Sequence, residues 1–99
     1  MSPFERLKKA NTVDNLWIYI LILLKNGPMH AFLIQEEIEK RFHFKTGKIT
    51  PYRVLYRLET DGYVKSQQED NRRVYQITKK GKDELEKAKN LYQEIIKFF

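Results

Sequence analysis

Nine consecutive apolar residues at positions 16–24, Leu-Trp-Ile-Tyr-Ile-Leu-Ile-Leu-Leu, limit the folds open to this 99-residue chain. A membrane-spanning helix needs roughly 20 such residues, so the run is too short to cross a bilayer. It is also apolar on nearly all sides, which is typical of a buried helix rather than a surface helix. We therefore expect a central helix over residues 13–25, ended by the Asn-Gly-Pro at positions 26–28. A strand over residues 18–24 is the alternative, but the length and the end signals favour the helix.

Two further helices are predicted on either side of this run. Residues 2–5, Ser-Pro-Phe-Glu, have the form of a capping box with proline at the first helical position, which predicts a short helix over residues 3–9. Phe4 and Leu7 would share the inner face of that helix. Downstream, apolar residues recur at helical spacing over residues 31–42, and a polar loop follows.

The segment from Thr50 to Thr60 predicts a helix with an unusual outer face. Thr50 is expected to supply the N-cap oxygen, and Pro51 fits the first helical position. At about 100° per residue the aliphatic side chains fall on one face, and the other face carries no acid. Its outward side chains are Tyr52, Arg53, Tyr56 and Arg57. A solvated helix face would normally include Glu or Gln, so we expect this face to bind a partner.

A β-hairpin is predicted over residues 63–77. Two β-rich segments, residues 63–68 and 73–77, are joined by the Glu-Asp-Asn-Arg at positions 69–72. The alternating apolar residues Tyr75 and Ile77 should reach the core.

Thr78 is expected to cap a last helix over residues 79–99, about 31 Å long. Its apolar residues repeat in steps of three and four, like the a/d seam of a coiled coil. The seam consists of Leu85, Ala88, Tyr92, Ile95 and Phe99. The helix also displays Leu91, Ile96 and Phe98. A 99-residue chain has little else to cover both stripes, so we expect a homodimer that buries the seam together with Phe4 and Leu7. The alternative is that the helix folds back onto its own domain.

The order helix, helix, helix, hairpin, helix is that of a winged helix-turn-helix. The expected fold class is mainly α with a small β-hairpin (α+β), with N- and C-terminal dimerisation helices. We expect one domain over residues 1–99. Residues 1–10 would form the N-terminal helix, residues 12–78 the winged-helix core and residues 79–99 the C-terminal dimerisation helix.

The net charge of +6 is concentrated in one stretch of the chain. Residues 41–80 contain ten basic and four acidic residues, whereas the remainder contains nine of each. A generally Lys-rich surface would spread the charge evenly. The basic stretch instead coincides with the Thr50–Thr60 helix and the hairpin, which favours one basic face and double-stranded DNA as the partner.

Three stretches resemble motifs of the PadR family of transcriptional regulators. Residues 23–32, Leu-Leu-Lys-Asn-Gly-Pro-Met-His-Ala-Phe, are similar to the family's apolar helix and Gly-Pro-x-His-Gly-Tyr turn. Residues 52–64, Tyr-Arg-Val-Leu-Tyr-Arg-Leu-Glu-Thr-Asp-Gly-Tyr-Val, resemble its tyrosine-led recognition helix and Leu-Glu-x-x-Gly ending. Residues 72–81, Arg-Arg-Val-Tyr-Gln-Ile-Thr-Lys-Lys-Gly, resemble its second wing strand and the Tyr-x-[Leu/Ile]-Thr-x-x-Gly entry to the last helix. The resemblance covers nearly the whole chain.

The chain departs from the family pattern at three places. Ala-Phe at positions 31–32 replaces Gly-Tyr, and Ile-Thr-Pro at positions 49–51 replaces Gly-[Ser/Thr]-[Ile/Leu]. The wing lacks the family's Gly-Arg-Pro-Arg tip and has the acidic residues 69–70 there instead, which the charge pattern does not explain.

The resemblance implies a DNA-binding transcription regulator, a repressor, that acts as a homodimer. The Thr50–Thr60 helix would enter the major groove, and the hairpin would be the wing. Arg53 and Arg57 would contact guanine edges or phosphates. Tyr52 and Tyr56 would bind phosphates or pack on thymine methyl groups. The expected DNA-binding residues are Lys48, Thr50, Tyr52, Arg53, Tyr56, Arg57, Lys65, Arg72 and Arg73.

The resemblance also implies a candidate effector pocket. Members of the family are often released from DNA by small aromatic or lipophilic ligands, and Trp17, with Tyr19 and Phe4, would line such a site. Simple core or dimer packing is the favoured interpretation of Trp17.

No catalytic residue, cofactor or metal is expected. The chain has no cysteine, and neither of its two histidines, His30 and His43, has a carboxylate at metal-ligand spacing. His30 is expected to be a structural hydrogen-bond donor. There is no glycine-rich phosphate loop or nucleophile elbow. The N-terminus has no targeting signal, so we expect a soluble, cytoplasmic, nucleoid-associated protein without a membrane partner.

Two other functions remain open from the sequence. An architectural protein that coats DNA would bind random duplexes nearly as tightly as any operator. A protein-interaction module would use the same tyrosines and arginines as an interface, with little salt dependence.

Overall fold

A computed structural model describes residues 1–99 as five α-helices, one 3₁₀ turn and a small sheet. In chain order these are α1 (Pro3–Ala10), the 3₁₀ turn (Val13–Asn15), α2 (Leu16–Lys25), β1 (Met29–His30), α3 (Ala31–Phe42), α4 (Thr50–Thr60), β2 (Val64–Glu69), β3 (Arg72–Ile77) and α5 (Lys79–Ile96). The strands form an antiparallel sheet in the order β1-β3-β2. The expected mainly α fold with a hairpin wing is therefore confirmed.

Helix α2 lies at the centre of the core, as its apolar sequence predicts. It supplies five of the twelve buried hydrophobic residues, and α3, α4 and the two hairpin strands supply the others. Residues 13–15, which were expected to belong to this helix, form the separate 3₁₀ turn. On β3, Tyr75 is buried and Ile77 packs against the core, as expected.

The predicted caps are confirmed for two helices and wrong for α4. Ser2 Oγ accepts from the Glu5 N–H at 3.1 Å, and Thr78 Oγ1 accepts from the Gly81 N–H at 3.1 Å. The N-cap of α4 is Ile49 rather than Thr50, and no side chain caps this helix. Ile49 already has helical φ and ψ of −89° and −36°, so Thr50 is the first helical residue and Pro51 the second.

The sheet contains a strand that the sequence did not indicate. Strand β1 pairs with β3, placing Met29 opposite Tyr75 and His30 opposite Val74. It is two residues long, so it carries no alternating pattern that could reveal it. The hairpin is also tighter than expected. Its loop is only Asp70-Asn71, and both residues have positive φ, 46° and 63°.

The end of α4, the start of β2 and the first turn of α5 meet at one junction. Thr78 Oγ1 donates to the Gly62 carbonyl at 2.7 Å, and Lys80 Nζ donates to the Asp61 carbonyl at 2.6 Å. At Gly81 an added Cβ would lie 2.1 Å from the Tyr63 carbonyl oxygen. This glycine therefore lets α5 approach the backbone that joins α4 to the hairpin.

The two ends of the chain are poorly covered. Helix α1 has no buried residue, and α5 has only Gly81. Phe4 and Leu7, expected on an inner face, are exposed in the protomer. Helix α5 ends at Ile96, so Phe99 lies beyond it and is 98% exposed. No helix combines the length and the apolar character that crossing a membrane requires.

Candidate nucleic-acid interface

The outer face of α4 is exposed, as its periodicity predicts. Leu55 and Leu58 are buried beneath the helix. Opposite them, Tyr52 and Tyr56 are exposed, the latter to 73%, and both arginines are exposed as well. The helix therefore presents two phenols and two guanidinium groups to solvent, while its opposite face packs into the core through Leu55 and Leu58.

The arginines lie on the flank of α4 that faces Trp17. Arg53 and Arg57 line a groove of about 450 Å³ that also contains Trp17, Tyr63 and Glu84. Arg57 forms an ion pair with Asp61, Nε to Oδ2 3.6 Å, and its side chain is 82% exposed. An exposed pair of this kind contributes about 0.3–0.5 kcal/mol, so Arg57 can exchange Asp61 for a stronger anion at little cost.

The other flank of α4 is hydrogen-bonded to the wing. Glu59 Oε2 accepts from both the backbone N–H and the hydroxyl of Ser66, at 3.0 and 2.7 Å. Arg73 Nη1 donates to the same hydroxyl oxygen at 2.9 Å. The three side chains link α4 to both strands of the hairpin. Sequence reasoning missed Glu59 and Ser66, because their contact joins residues seven positions apart across a turn and leaves no periodic signal.

The structure separates the three basic residues expected on the wing. Paired residues of an antiparallel ladder share a face, and successive residues alternate between faces. Arg73 lies on the face that carries Ser66 and Tyr75, towards α4. Arg72 and Lys65 lie on the opposite face. Of the expected wing residues, only Arg73 is joined to α4, through Ser66 and Glu59.

On that opposite face, Arg72 belongs to an aromatic stack. Its guanidinium carbon lies 5.1 Å from the centre of the Phe32 ring, and Phe32 stacks on His30 at 5.7 Å. The Nδ1 atom of His30 is buried without a hydrogen-bond partner. His30 was expected to be a structural hydrogen-bond donor, but its Nδ1 makes no such bond, and packing on Phe32 and strand pairing hold the residue in place.

The segment before α4 adds further positive charge. Lys48 and Thr50 are exposed there, and residues 45–58 contain four basic side chains and no acid. Between Lys48 and Thr50 lies Ile49, whose side chain is 65% exposed. The charge pattern did not single out this residue, although an isoleucine among cations is itself a signal.

Burial and nearby charges raise the pKa of three tyrosines. Desolvation raises the pKa of Tyr75, with a further contribution from Glu59. Desolvation also raises the pKa of Tyr19, and the electrostatic effect of Tyr92 raises it further. The charge of Glu84 is the main cause of the raised pKa of Tyr63. All three phenols therefore keep their protons up to a higher pH than a free tyrosine.

The three aromatic residues suggested for an effector pocket are not brought together. Trp17 lines a groove of about 460 Å³ between α2 and α5, and its Nε1 donates to Asn15 Oδ1. Tyr19 lines a second groove, of about 580 Å³, and packs against Phe42 and Phe44. Phe4 borders neither groove.

Solved structures of bacterial regulators resemble this chain. A PadR family transcription regulator from Clostridium difficile R20291 is 28% identical, with a TM-score of 0.74, over 83% of this chain and 91% of that one. A transcriptional regulator from Clostridium thermocellum is 27% identical, with a TM-score of 0.71, over 85% and 91% of the two chains. Bacillus subtilis PadR, solved in complex with operator DNA, is 22% identical and shares the fold, with a TM-score of 0.67 over 74% of this chain and 46% of that one.

The family model for the transcriptional regulator PadR-like family matches residues 20–87, which include α4 and the whole hairpin. No curated protein matches the sequence significantly. Members of the matched family regulate transcription and are not enzymes. With its winged-helix architecture and the exposed basic outer face of α4, the chain belongs to the PadR-like family and is a DNA-binding transcription regulator.

Proposed function

We propose that the protein is a sequence-specific repressor that binds double-stranded DNA as a homodimer. In each protomer α4 would enter the major groove, and the β2–β3 hairpin would be the wing. The observation that carries the proposal is the acid-free outer face of α4, at the centre of the segment that holds the whole net charge. The complex of Bacillus subtilis PadR with operator DNA supports this choice of ligand.

The geometry supports different roles for the basic residues. Arg53 and Arg57 would reach guanine edges or phosphates, since a guanidinium can bind either with two hydrogen bonds. The hydroxyls of Tyr52 and Tyr56 would bind phosphates on the wing side of α4, or their rings would pack on thymine methyl groups. The remaining expected contacts are to phosphates, which position the protein without reading sequence. They involve Lys48, Thr50, Lys65, Arg72 and Arg73.

The surface of the protomer supports the homodimer. Its accessible area is 7305 Å², whereas a folded monomer of this mass exposes about 6,000 Å². Most of its exposed large apolar side chains lie in the first 13 or the last nine residues. In this proposal residues 12–78 bind DNA, and residues 1–10 and 79–99 form the dimer. Its contacts would come from Phe4, Leu7, Leu85, Ala88, Tyr92, Ile95 and Phe99, of which Leu85 and Ala88 are already half-buried.

We also propose that the protein binds a small aromatic or lipophilic effector. Its proposed location is cytoplasmic and nucleoid-associated. The groove beside Trp17 is bordered by Leu91 and Ile95, so dimerisation would alter its walls. An effector bound there should change the fluorescence of Trp17, the only tryptophan.

The experiment that tests the proposal compares a double variant, Arg53→Ala with Arg57→Ala, with a matched control. The control, Lys25→Ala with Lys89→Ala, removes the same charge from residues away from α4. Selection from a random duplex pool supplies the specific site, and binding to that site and to random DNA is measured against salt concentration. We expect the arginine variant to lose specific binding, because a bidentate pair between a guanidinium and a base contributes about 1–3 kcal/mol. The control should bind nearly normally.

Three outcomes would contradict the proposal. Retained specific binding by the arginine variant would remove the assigned roles. Equal affinity for selected and random DNA would favour the architectural protein. Weak binding to any DNA, with little salt dependence, would favour the protein-interaction module.

A further inference from the structure

Ile49 is an exposed aliphatic side chain without a structural reason. Between residues 14 and 90 the exposed large apolar side chains are Phe32, Ile49, Tyr52 and Tyr56. The tyrosines carry hydroxyls, and Phe32 stacks with His30 and Arg72. Ile49 has neither a polar group nor a stacking partner, although 65% of its surface faces solvent.

The backbone holds Ile49 at the centre of the outer face of α4. Its carbonyl accepts from the N–H groups of Tyr52 and Arg53, at 3.1 and 3.2 Å, and its φ and ψ are helical. At about 100° per residue it therefore falls between Tyr52 and Arg53, close to the line of Tyr56. It lies at the N-terminal end of the helix, which is the part of a recognition helix that contacts base edges.

The charges around Ile49 indicate what it would contact. Residues 45–58 carry Lys45, Lys48, Arg53 and Arg57 and no acid, so this surface complements a polyanion. In the major groove the base edges present hydrogen-bonding groups, and the apolar group available there is the C5-methyl of thymine. An isoleucine in a basic recognition surface fits that methyl group.

We propose that Ile49 determines specificity by packing on a thymine C5-methyl group in the major groove. The inference rests on the proposed DNA-binding function and adds a base preference to it. Burial of one methyl group should strengthen binding about fourfold for each half-site. In a homodimer on a symmetric site the two contacts would together give about fifteenfold.

Deleting single methyl groups from the DNA tests the proposal. The probe is the duplex selected by the wild-type full chain, and each thymine is replaced in turn by uracil, which lacks only the C5-methyl. We expect one symmetric pair of replacements to weaken the wild type about fifteenfold. The same pair of replacements should hardly change DNA binding by Ile49→Ala, because the shorter alanine side chain does not reach the methyl group. Ile49→Val should remain sensitive.

Folding and general DNA binding are checked in the same variants. Because Ile49 is exposed, Ile49→Ala should unfold at the same urea concentration as the wild type. Its binding to random DNA should also keep the wild-type salt dependence. The role of Ile49 is wrong if the uracil replacements weaken DNA binding by Ile49→Ala as much as binding by the wild type. It is also wrong if they weaken binding by neither protein. In both cases the proposed function stands. Failure of the wild type to enrich any duplex would overturn the proposed function itself, and this inference with it.

Discussion

The hairpin tip, Asp70-Asn71, places an acidic residue in a segment with an excess of basic residues. A two-residue loop with positive φ at both positions is the pattern of a type I′ turn, which most side chains occupy only with strain. Asp and Asn tolerate this conformation better than other non-glycine residues. The backbone of the turn therefore favours Asp or Asn at position 70, and in the proposed complex the charge of Asp70 would lie near DNA phosphates.

Replacing Asp70 by Asn separates the charge from the turn. Asp70→Asn keeps a residue suited to positive φ and removes one negative charge, so stability should hardly change. If a DNA phosphate lies about 8 Å from the Asp70 carboxylate, removing the repulsion between these two charges should tighten DNA binding about twofold. Fluorescence anisotropy measures the affinity, with Glu86→Gln on α5 as the charge-matched control. Unchanged or weaker binding would mean that the tip does not approach the DNA backbone.

At the scale of secondary-structure elements, the sequence predicted those helices whose signals lie in neighbouring residues. The bounds of α3 and α4 match the expected 31–42 and 50–60, because apolar periodicity and helix-stop residues are local signals. Strand β1 is too short to have a pattern. The cap at Thr50 failed because the backbone of Ile49 was already helical, which its side chain does not reveal.

The candidate site was predictable only in part for the same reason. The exposed face of α4 follows from helical spacing, so the four outward residues could be named. Which wing residues lie beside that face depends on strand register and on a long-range hydrogen bond. Arg72 and Arg73 are neighbours in sequence but lie on opposite faces, and only the structure identifies Arg73 as the one joined to Glu59 through Ser66.

The link between α4 and the wing should be measurable as a coupling energy. Hydrogen bonds to a charged group contribute about 1.5–3 kcal/mol when shielded, so we expect Glu59→Ala to cost about 1–2 kcal/mol at this half-buried site. Urea unfolding of Glu59→Ala, Ser66→Ala and the double variant should give losses that do not add. Glu59→Gln should retain part of the stability, because its amide oxygen still accepts.

DNA binding gives a second measure of this link. If Glu59 positions Arg73, then Arg73→Ala should weaken binding in the wild type and much less in a Glu59→Ala background. Additive losses in both measurements would show that the wing is oriented independently of Glu59.

At the scale of the molecule, the long and thinly covered α5 predicts a dimer. The protomer measures 48 × 28 × 21 Å, and its radius of gyration is 14.2 Å, against about 12.6 Å for a compact chain of this length. In solution we expect twice the protomer mass by light scattering. Ile95→Asp should raise the dimer Kd more than a hundredfold, since a charge would be buried in an apolar interface.

A matched variant controls for the added charge. Gln93→Asp places the same charge on the same helix, on a different side from Ile95, and should remain dimeric. A wild-type protein that scatters as a monomer at micromolar concentration, or an Ile95→Asp variant that stays dimeric, would contradict the interface.

The tight hairpin also restricts how the wing can change in length during evolution. Because side chains alternate along a strand, inserting or deleting one residue within β2 or β3 moves the following side chains to the opposite face. A single insertion before Ser66 would turn its hydroxyl away from Glu59, whereas an insertion of two residues would keep the side chains that follow on their present faces. Insertions or deletions of two residues in this wing should therefore be tolerated better than those of one residue, and single-residue changes should be selected against.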